Sequence, residues 1–447
     1  MTLRHNGQVL TGQEEIASTV DDFYDRLLGM TSPRDHDLHL DAISMPTRDL
    51  RKLKEPFSEE EILEAIKHMP LDKAPGFTGR FYTACWSIIK GYITKAFTTF
   101  YRGDLRGFVA INKALVTLLP KKDGANELRD FRPVSLMHGL AKIFDKVLAS
   151  RLALELPHLV GIHQSAFVKG RALHDNFMFV QSTARRLHAL CQPAILLKLD
   201  ILKAFDTVQW SFLIEVLQTM GFGSRWLSWI VGLLAISSTH IMINGVPGAP
   251  IFNCKGLWQG GPLSPMLFIL MMEPLHHLFQ LATKMDVLTP LASHGLKQRV
   301  SLFADDAIIF LKPVQTDLHA CSHILHLFGM ASGLQVNFNK TAAIPIRCSN
   351  EEKALATVTL GCELASFPRR YLGMSLCPRK PSAAQLHSLV ERIAQCLPNW
   401  KAATLPKSVR LILILSVLCS VPIHMMLDLA LPMKTIHAIN KIIRGFL

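Results

Sequence analysis

The segment Val300-Ser-Leu-Phe-Ala-Asp-Asp-Ala-Ile-Ile-Phe-Leu311 places two adjacent acids, Asp305 and Asp306, between two apolar runs. Runs of this length and composition predict β-strands over 300–303 and 307–311, so the segment predicts a hairpin with the acids at its tip. An acidic pair buried there would be costly unless it were paired or bound to a metal ion. Taken alone, an Asp-Asp pair at a hairpin tip more often only solvates the turn.

A third acid has the same kind of flank. The apolar run Ala194–Leu199 predicts a strand that ends at Asp200. If this strand and the acidic hairpin were neighbours in one sheet, Asp200, Asp305 and Asp306 would converge on a small volume. A site for two divalent cations needs carboxylates that converge from separate elements. The three aspartates are therefore the candidate metal ligands.

Three segments contain or lie between these acids: Asp200-Ile-Leu-Lys-Ala-Phe205-Asp206, Gln259-Gly-Gly-Pro262-Leu-Ser264-Pro265 and Phe303-Ala-Asp-Asp306. They resemble the three palm motifs of a known family, the reverse transcriptases of LINE-type (non-LTR) retroelements, in particular the plant form. Further matches, in the family's order, are Lys121, Phe131-Arg-Pro-Val-Ser-Leu136, Gln164-Ser-Ala-Phe-Val-Lys-Gly170-Arg171 with Asp175-Asn176, Gly333-Leu334 through Lys340, and Tyr371-Leu-Gly-Met374. The resemblance covers roughly residues 55 to 447.

The resemblance implies an α+β right-hand polymerase whose palm is an antiparallel sheet backed by helices. It divides the chain into a flanking arm (1–54), an N-terminal extension with the start of the fingers (55–112), fingers and palm (113–377) and an incomplete helical thumb (378–447). The implied activity is that of an RNA-directed DNA polymerase, which needs an RNA template, a DNA primer and deoxynucleoside triphosphates. Two Mg²⁺ (or Mn²⁺) ions would be held by Asp200 and Asp305 with help from Asp306. Protein partners are not indicated.

The resemblance also implies roles for individual residues. It assigns nucleotide binding to Lys121, Arg132, Phe205, Gln259, Gly260 and Lys340, and primer or template binding to Gly170, Arg171, Tyr371, Leu372 and Gly373. Phe205, one helical turn past Asp200, would exclude a ribose 2'-hydroxyl; the alternative is an ordinary core phenylalanine. Lys121 and Arg132 would hold the triphosphate. Lys340 would protonate the leaving pyrophosphate or is only a solvated turn residue.

Local patterns predict the surrounding elements. Ser58 is predicted to cap a helix that stops before Pro70, and Ser264 to cap a helix over 266–278 with Pro265 at its first position. We also expect helices at 13–28 and 317–331, a strand at 110–119, helical periodicity after Asp200 through Phe205, Val208 and Leu213, and alternation at Leu334, Val336 and Phe338.

Composition indicates the kind of partner and the cell compartment. The net charge of +13 and pI near 9.4 favour a polyanionic partner such as RNA or DNA. Nine scattered cysteines indicate reduced thiols, and the polar start of the chain lacks a signal peptide, so we expect an intracellular protein. The nucleus is plausible, although no clear targeting cluster is present. Apolar runs at 263–279 and 411–431 contain charged, histidine or proline residues, which favours buried helices over membrane spans.

The chain departs from the family pattern at three places. The segment Ala74-Pro75-Gly76-Phe77 lacks about three residues, Gly261 stands where the family commonly has Asp, and Trp258 stands where Arg is common. Neither an endonuclease nor an RNase H region is resembled, so we expect a fragment of a decayed element. Three alternatives stay open: an inactive nucleic-acid-binding relic, a group II intron maturase-like protein, and an RNA-dependent RNA polymerase, against which Phe205 argues.

Overall fold

The computed structural model divides the chain into two units. The first comprises Met1–Gly170, Ile201–Met285 and Cys321–Asn337, and the second Arg171–Asp200, Asp286–Ala320 and Phe338–Leu447. The structure describes residues 2–5, 7–31, 34, 37–70, 77–292, 296–379, 382, 384, 386–396, 405–426 and 431–447. The shortened segment at 74–76 and the predicted thumb residues Trp400 and Lys401 lie outside the described residues.

The helices are α1 (Gln13–Tyr24), α2 (Glu59–Lys67), α3 (Gly79–Ala84), α4 (Trp86–Tyr101), α5 (Gly139–Leu159), α6 (Leu173–Ala189), α7 (Trp210–Thr219), α8 (Ser224–Ala235), α9 (Ser264–Lys284), α10 (Gln315–Ser332), α11 (Asn350–Leu360), α12 (His387–Gln395), α13 (Lys407–Leu413), α14 (Ser420–Met426) and α15 (Met433–Phe446). Short 3-10 turns lie at Leu40–Ala42, Arg51–Lys54, Arg106–Phe108 and Leu128–Asp130, and π-helical turns at Asp25–Gly29 and Ile414–Leu418.

The strands are β1 (Leu3–His5), β2 (Gln8–Leu10), β3 (Lys113–Pro120), β4 (Phe131–Met137), β5 (Ala194–Leu199), β6 (Ser238–Ile243), β7 (Val246–Pro247), β8 (Ile251–Phe252), β9 (Val300–Phe303), β10 (Asp306–Leu311), β11 (Ala342–Ile346), β12 (Glu363–Leu364), β13 (Arg369–Tyr371) and β14 (Met374–Leu376). Mixed helices and mainly antiparallel sheets confirm the predicted α+β class.

The first unit is built around a sheet of order β4-β3-β6-β7, with β8 also paired to β6. Strand β3 runs antiparallel to β4 and parallel to β6. Its core takes in Ile16, Val20 and Tyr24 of α1, which pack with Val116 and Ile241 of the sheet. Residues from the predicted flanking arm thus complete this core.

The second unit is built around a sheet of order β12-β11-β5-β10-β9. The central strand β5 is antiparallel to both β10 and β11. Its side chains are almost wholly apolar and buried, as a strand covered on both faces requires. Helix α6 covers one face through Phe177 and Val180, which belong to the same core cluster as Leu196.

A buried carboxylate ties helix α9 to the loop after α5 within the first unit. Glu273 accepts hydrogen bonds from the Gly161 N–H at 2.9 Å and from His163 Nε2 at 3.1 Å, and His277 Nε2 lies 3.4 Å away. Burial tends to raise the pKa of Glu273, but the His163 charge and the hydrogen bonds outweigh it and lower the pKa to about 2. The two histidines and the Gly161 N–H therefore surround a buried carboxylate.

Several local predictions are confirmed. Ser58 caps α2 by accepting the Glu61 N–H at 3.1 Å, the strands at 194–199 and 300–303 have the predicted bounds, and α10 stops at Gly333, whose φ is 80°. Among the described residues, no helix is long and apolar enough to cross a membrane. Helix α9 is largely buried, as expected for the run at 263–279.

Three predictions are wrong. Leu263, not Ser264, is the N-cap of α9, because Ser264 is already helical and makes no side-chain cap bond. The chain after Asp200 is not helical until Trp210, because Ile201 bridges to Val336 and the Leu202 N–H donates to the Gln335 carbonyl.

The third error concerns the predicted alternation at 334–338. Only Val336 pairs with another segment, through its single bridge to Ile201, and the next strand begins at Ala342. Helix α9 is also longer than the predicted 266–278 and ends at Lys284.

Candidate active site

Strand register brings the three aspartates to one end of the second-unit sheet. Ala307 of β10 lies opposite Leu199 of β5, so the next residues, Asp306 and Asp200, are neighbours across the two strands. Strands β9 and β10 form the predicted hairpin, with Asp306 opposite Phe303 and a two-residue turn of Ala304 and Asp305. The turn depends on Ala304 at φ 52°, a conformation that a residue with a Cβ adopts rarely.

The carboxylates are more open than the sequence suggested. Asp305 is exposed, and the Asp306 side chain is 45% exposed and lies 3.8 Å from Lys198 Nζ. The expected burial of this acidic pair without a partner is therefore wrong, because the apolar residues of the hairpin face the core while its tip faces solvent. Partial burial raises the pKa of Asp306, Lys198 opposes the rise, and the charges of Asp305 and Asp200 add to it.

A main-chain hydrogen bond fixes the position of Asp200. Its N–H donates to Thr341 Oγ1 at 3.2 Å, so the end of β5 is fixed against the start of β11. Lys198, two residues earlier on the same face of β5, also donates to the Arg370 carbonyl at 3.4 Å. Lys198 was not predicted as a site residue, although it is the one charged residue in the run 194–199.

The donor set suits a hard divalent cation. All three side chains are carboxylates, which is the ligand type Mg²⁺ and Mn²⁺ prefer, and all three lie at adjoining strand ends. Within the described part of the chain, no group of three or more His, Cys, Asp or Glu side chains is already placed to hold an ion. The aspartates therefore fit a metal in donor type and in strand register.

A second hairpin lies in the same unit. Strands β13 and β14 pair Tyr371 with Met374 across a two-residue turn in which Leu372 and Gly373 have φ of 47° and 83°. The Tyr371 ring is buried, and its hydroxyl lies 3.5 Å from Ser301 Oγ on β9. A primer contact at this hairpin would therefore use the main chain of the turn, not the Tyr371 side chain.

The predicted triphosphate residues lie in the first unit, near the turn between β3 and β4. Arg132 is exposed and pairs with Leu119. Lys121 is also exposed, and its Nζ donates to the Arg129 carbonyl at 2.8 Å. Both cations are open to a ligand, which is consistent with their predicted role and does not test it.

The loop around Gln259 is held at two points in the first unit. The Ser135 N–H donates to the Gln259 carbonyl at 3.2 Å, and Gln259 Nε2 donates to Asp206 Oδ1 at 3.1 Å. Gly260 has φ 122°, which requires glycine. Burial raises the pKa of Asp206 to about 6, opposed by Lys203, the Gln259 hydrogen bond and Lys121.

Asp206, which accepts the hydrogen bond from Gln259, stands within a sequence motif in which no role was predicted for it. Its signal was its place directly after Phe205. Phe205 itself lies in a turn and stacks on Phe268 of α9, with ring centroids 4.6 Å apart. The half-buried Phe205 ring thus belongs in part to the core, as in the alternative interpretation. Its role in excluding a ribose 2'-hydroxyl stays a prediction.

The remaining predicted residues are placed as follows. Lys340 is exposed in a turn of the second unit, just before Thr341. Gly170, with φ 83°, ends the first segment of the first unit, and Arg171 begins the second unit. Their predicted roles in binding are not tested by these positions.

Comparison with known proteins supports the motifs. Residues 119–376, more than half of the chain, match the family model described as reverse transcriptase (RNA-dependent DNA polymerase). The chain is 27% identical over 359 residues to the transposon TX1 uncharacterized 149 kDa protein of Xenopus laevis, covering 79% of this chain and 27% of that protein.

Two further relatives are retrovirus-related Pol polyproteins from the type-1 retrotransposable element R2. The protein of Nasonia vitripennis is 24% identical over 314 residues, which is 70% of this chain and 29% of that protein. That of Popillia japonica is 28% identical over 300 residues, which is 66% of this chain and 40% of that protein. The chain thus spans less than half the length of each of these relatives.

Proposed function

The chain belongs to the reverse transcriptase (RNA-dependent DNA polymerase) family, and from that premise we propose that it copies an RNA template into DNA as the polymerase portion of a non-LTR retrotransposon protein. Relatives named for retrotransposable elements support the retrotransposon origin. The finer assignment to the plant form is supported only by the motifs in the sequence. If the DNA copy is made into a genome, the protein would act in the nucleus.

The observation that carries the proposal is the register of β5 and β10. It makes Asp200 and Asp306 neighbours at the sheet end from which Asp305 projects into solvent. Carboxylates from separate strands that meet at an accessible edge are what phosphoryl transfer with divalent cations requires.

In the proposed reaction, Asp200 and Asp305 hold two Mg²⁺ or Mn²⁺ ions, and Asp306 assists. Such ions, when bound, offset the negative charge of the phosphates and lower the pKa of the attacking primer hydroxyl. Lys198 lies beside Asp306 and reduces the mutual repulsion of the three carboxylates before a cation arrives.

Other residues would bind the substrates. We assign the triphosphate to Lys121 and Arg132, the base and sugar to Gln259, Gly260 and Phe205, and leaving-group protonation to Lys340. The primer and template are assigned to Gly170, Arg171 and the turn of Tyr371, Leu372 and Gly373. Exposure of Lys121, Arg132 and Lys340 supports these roles.

The test is primer extension on a primed RNA template with deoxynucleotides and Mg²⁺ or Mn²⁺. We expect the wild type to extend the primer, and Asp305→Asn and Asp200→Asn to lose activity by about a thousandfold or more while still binding the primer-template. Glu351→Gln removes an exposed carboxylate from α11 in the same unit and should leave extension unchanged. A folded wild-type protein that binds the primer-template without extending it would favour the inactive relic.

The Phe205 assignment has its own test. Phe205→Val should increase ribonucleotide incorporation relative to deoxynucleotide incorporation if the ring excludes a 2'-hydroxyl. Phe268→Leu removes the ring on which Phe205 stacks and should have a weaker effect of the same sign. Unchanged sugar selectivity in Phe205→Val would leave Phe205 as a core residue only.

A further inference from the structure

The two glycines after Gln259 are glycine for different reasons. Gly260 has φ 122°, so its backbone excludes most other residues. Gly261 has no such φ, and its backbone would accept a side chain. What excludes one is the carboxyl group of Asp145, because a Cβ at position 261 would overlap Asp145 Oδ2 and lie 3.3 Å from Met137 Sδ.

Asp145 belongs to α5 and faces the loop that precedes α9. Its Oδ2 accepts the Leu263 N–H at a long 3.5 Å, and burial raises the pKa of this carboxyl to about 7, opposed by that hydrogen bond. Leu263 is the N-cap of α9 and makes no side-chain cap bond. A carboxyl oxygen at this N-terminus therefore supplies an acceptor that the cap residue itself does not.

The loop from Gln259 to Leu263 is thus fixed at three points. Ser135 holds the Gln259 carbonyl, Asp206 holds the Gln259 side chain, and the Asp145 carboxyl fills the space over Gly261 and holds Leu263. Asp145, Ser135, Asp206 and Gln259 also line one cavity of the first unit. Loss of the third point would let the loop move into that cavity.

We propose that Asp145 is a positioning residue, whose carboxyl group takes the side-chain space of residue 261 and holds Gln259 in the arrangement that nucleotide binding needs. The proposal rests on the proposed polymerase function, in which Gln259 contacts the incoming nucleotide. Asp145 itself is assigned no contact with substrate. Its influence should therefore appear in nucleotide KM more than in kcat.

Four variants test this in primer extension. Asp145→Ala should raise the KM for deoxynucleotide by about tenfold and change kcat much less. Asp145→Asn should keep a KM near that of the wild type, because its amide oxygen fills the same space and still accepts the Leu263 N–H. Gly261→Ala should also raise KM, since its methyl group displaces the Asp145 carboxyl.

The decisive variant is the double substitution Gly261→Ala with Asp145→Ala. The methyl group at 261 then enters the space that Asp145 vacates, so we expect KM to return most of the way to the wild-type value. General destabilisation cannot produce this rescue, because two independent losses add. A double variant that is worse than either single variant, or an unchanged KM in Asp145→Ala, would overturn the proposal.

Urea unfolding of the same proteins separates this proposal from the proposed function. The shared space predicts that Gly261→Ala lowers the free energy of unfolding when Asp145 is present and not when residue 145 is alanine. Additive changes in the free energy of unfolding would show that residues 145 and 261 do not compete for one space, whether or not the protein makes DNA. A wild type that makes no DNA overturns the polymerase function and the nucleotide role of Asp145 with it, while the unfolding result still decides the contact.

Discussion

Ala304 holds the acidic hairpin in a conformation that costs free energy. Its φ is 52°, and the β9–β10 pairing around it helps to hold this conformation. We predict that Ala304→Val lowers the free energy of unfolding by about 1–2 kcal/mol, because a branched Cβ worsens the left-handed conformation. Ala304→Gly should change it by less than about 0.5 kcal/mol, since relief of strain offsets the greater freedom of the unfolded chain. Equal losses in urea unfolding of both variants would contradict this.

The raised pKa of Asp206 predicts how the stability of the protein depends on pH. Its pKa is about 6 in the folded protein and near 3.8 ordinarily, so between these values the unfolded chain has released the proton and the folded chain has not. The contribution of Asp206 to stability therefore falls as pH rises from about 4 to 6, by on the order of 2–3 kcal/mol.

The variant Asp206→Asn should lose this contribution to the pH-dependence, because an amide carries no proton to release and still accepts from Gln259. The contribution of Asp145, whose pKa is also raised, should remain. Asp123→Asn, at an exposed aspartate of the first unit, should keep the wild-type dependence. Urea unfolding at several pH values measures the difference. A parallel pH-dependence in Asp206→Asn and wild type would show that Asp206 is not its source.

At the residue scale, the sequence located the three aspartates through their apolar flanks, and their convergence follows from the strand register. The exposure of Asp305 could not be predicted, because it depends on where the sheet edge meets solvent. The relation between Asp145 and Gly261 was also out of reach, since it joins distant positions that share no local pattern.

Among the elements, the segment before α2 is fastened to α5 by one arginine. Arg151 forms a two-pronged ion pair with Glu61 at 2.6 and 2.8 Å, donates to the carbonyls of Leu53, Glu55 and Pro56, and lies over the Phe57 ring. Both charged side chains are largely buried. This single side chain therefore donates to a largely buried carboxylate and to three carbonyl groups at once.

We predict that Arg151→Met lowers the free energy of unfolding by about 2–4 kcal/mol, because Glu61 and the carbonyls lose their donor. Arg106→Met is the matched control: Arg106 pairs with Asp104 at the surface, so its loss should lower the free energy of unfolding far less. Urea unfolding of the two variants decides between them. Equal small losses would show that Arg151 contributes no more than a surface ion pair.

The elements show where sequence patterns suffice. Strands β5 and β9 are mainly apolar, each with one polar residue (Lys198 and Ser301), and their bounds follow from composition. The stretch after Asp200 looked helical because Phe205, Val208 and Leu213 have helical spacing. Long-range hydrogen bonds outweigh that periodicity, since the Leu257 N–H donates to the Phe205 carbonyl and Ile201 pairs with Val336.

For the whole molecule, the net charge of +13 predicts electrostatic binding of a primer-template. We expect the Kd to rise at least about a hundredfold between about 0.05 and 0.2 M salt. Binding releases counterions from the nucleic-acid phosphates, and this release is less favourable at higher salt. Asp305→Asn should bind at least as tightly as wild type, because it removes a negative charge. Fluorescence anisotropy with a labelled duplex measures both. Affinity that does not change with salt would contradict a phosphate-binding surface.

In the proposed function, the three aspartates support RNA-templated DNA synthesis. The most direct measurement is the sequence of DNA made on an RNA template of mixed sequence, by wild type and by Asp305→Asn. We expect wild-type DNA complementary to the template and none from Asp305→Asn. DNA unrelated to the template, DNA made equally well without Asp305, or no DNA from folded protein bound to the primer-template would contradict it.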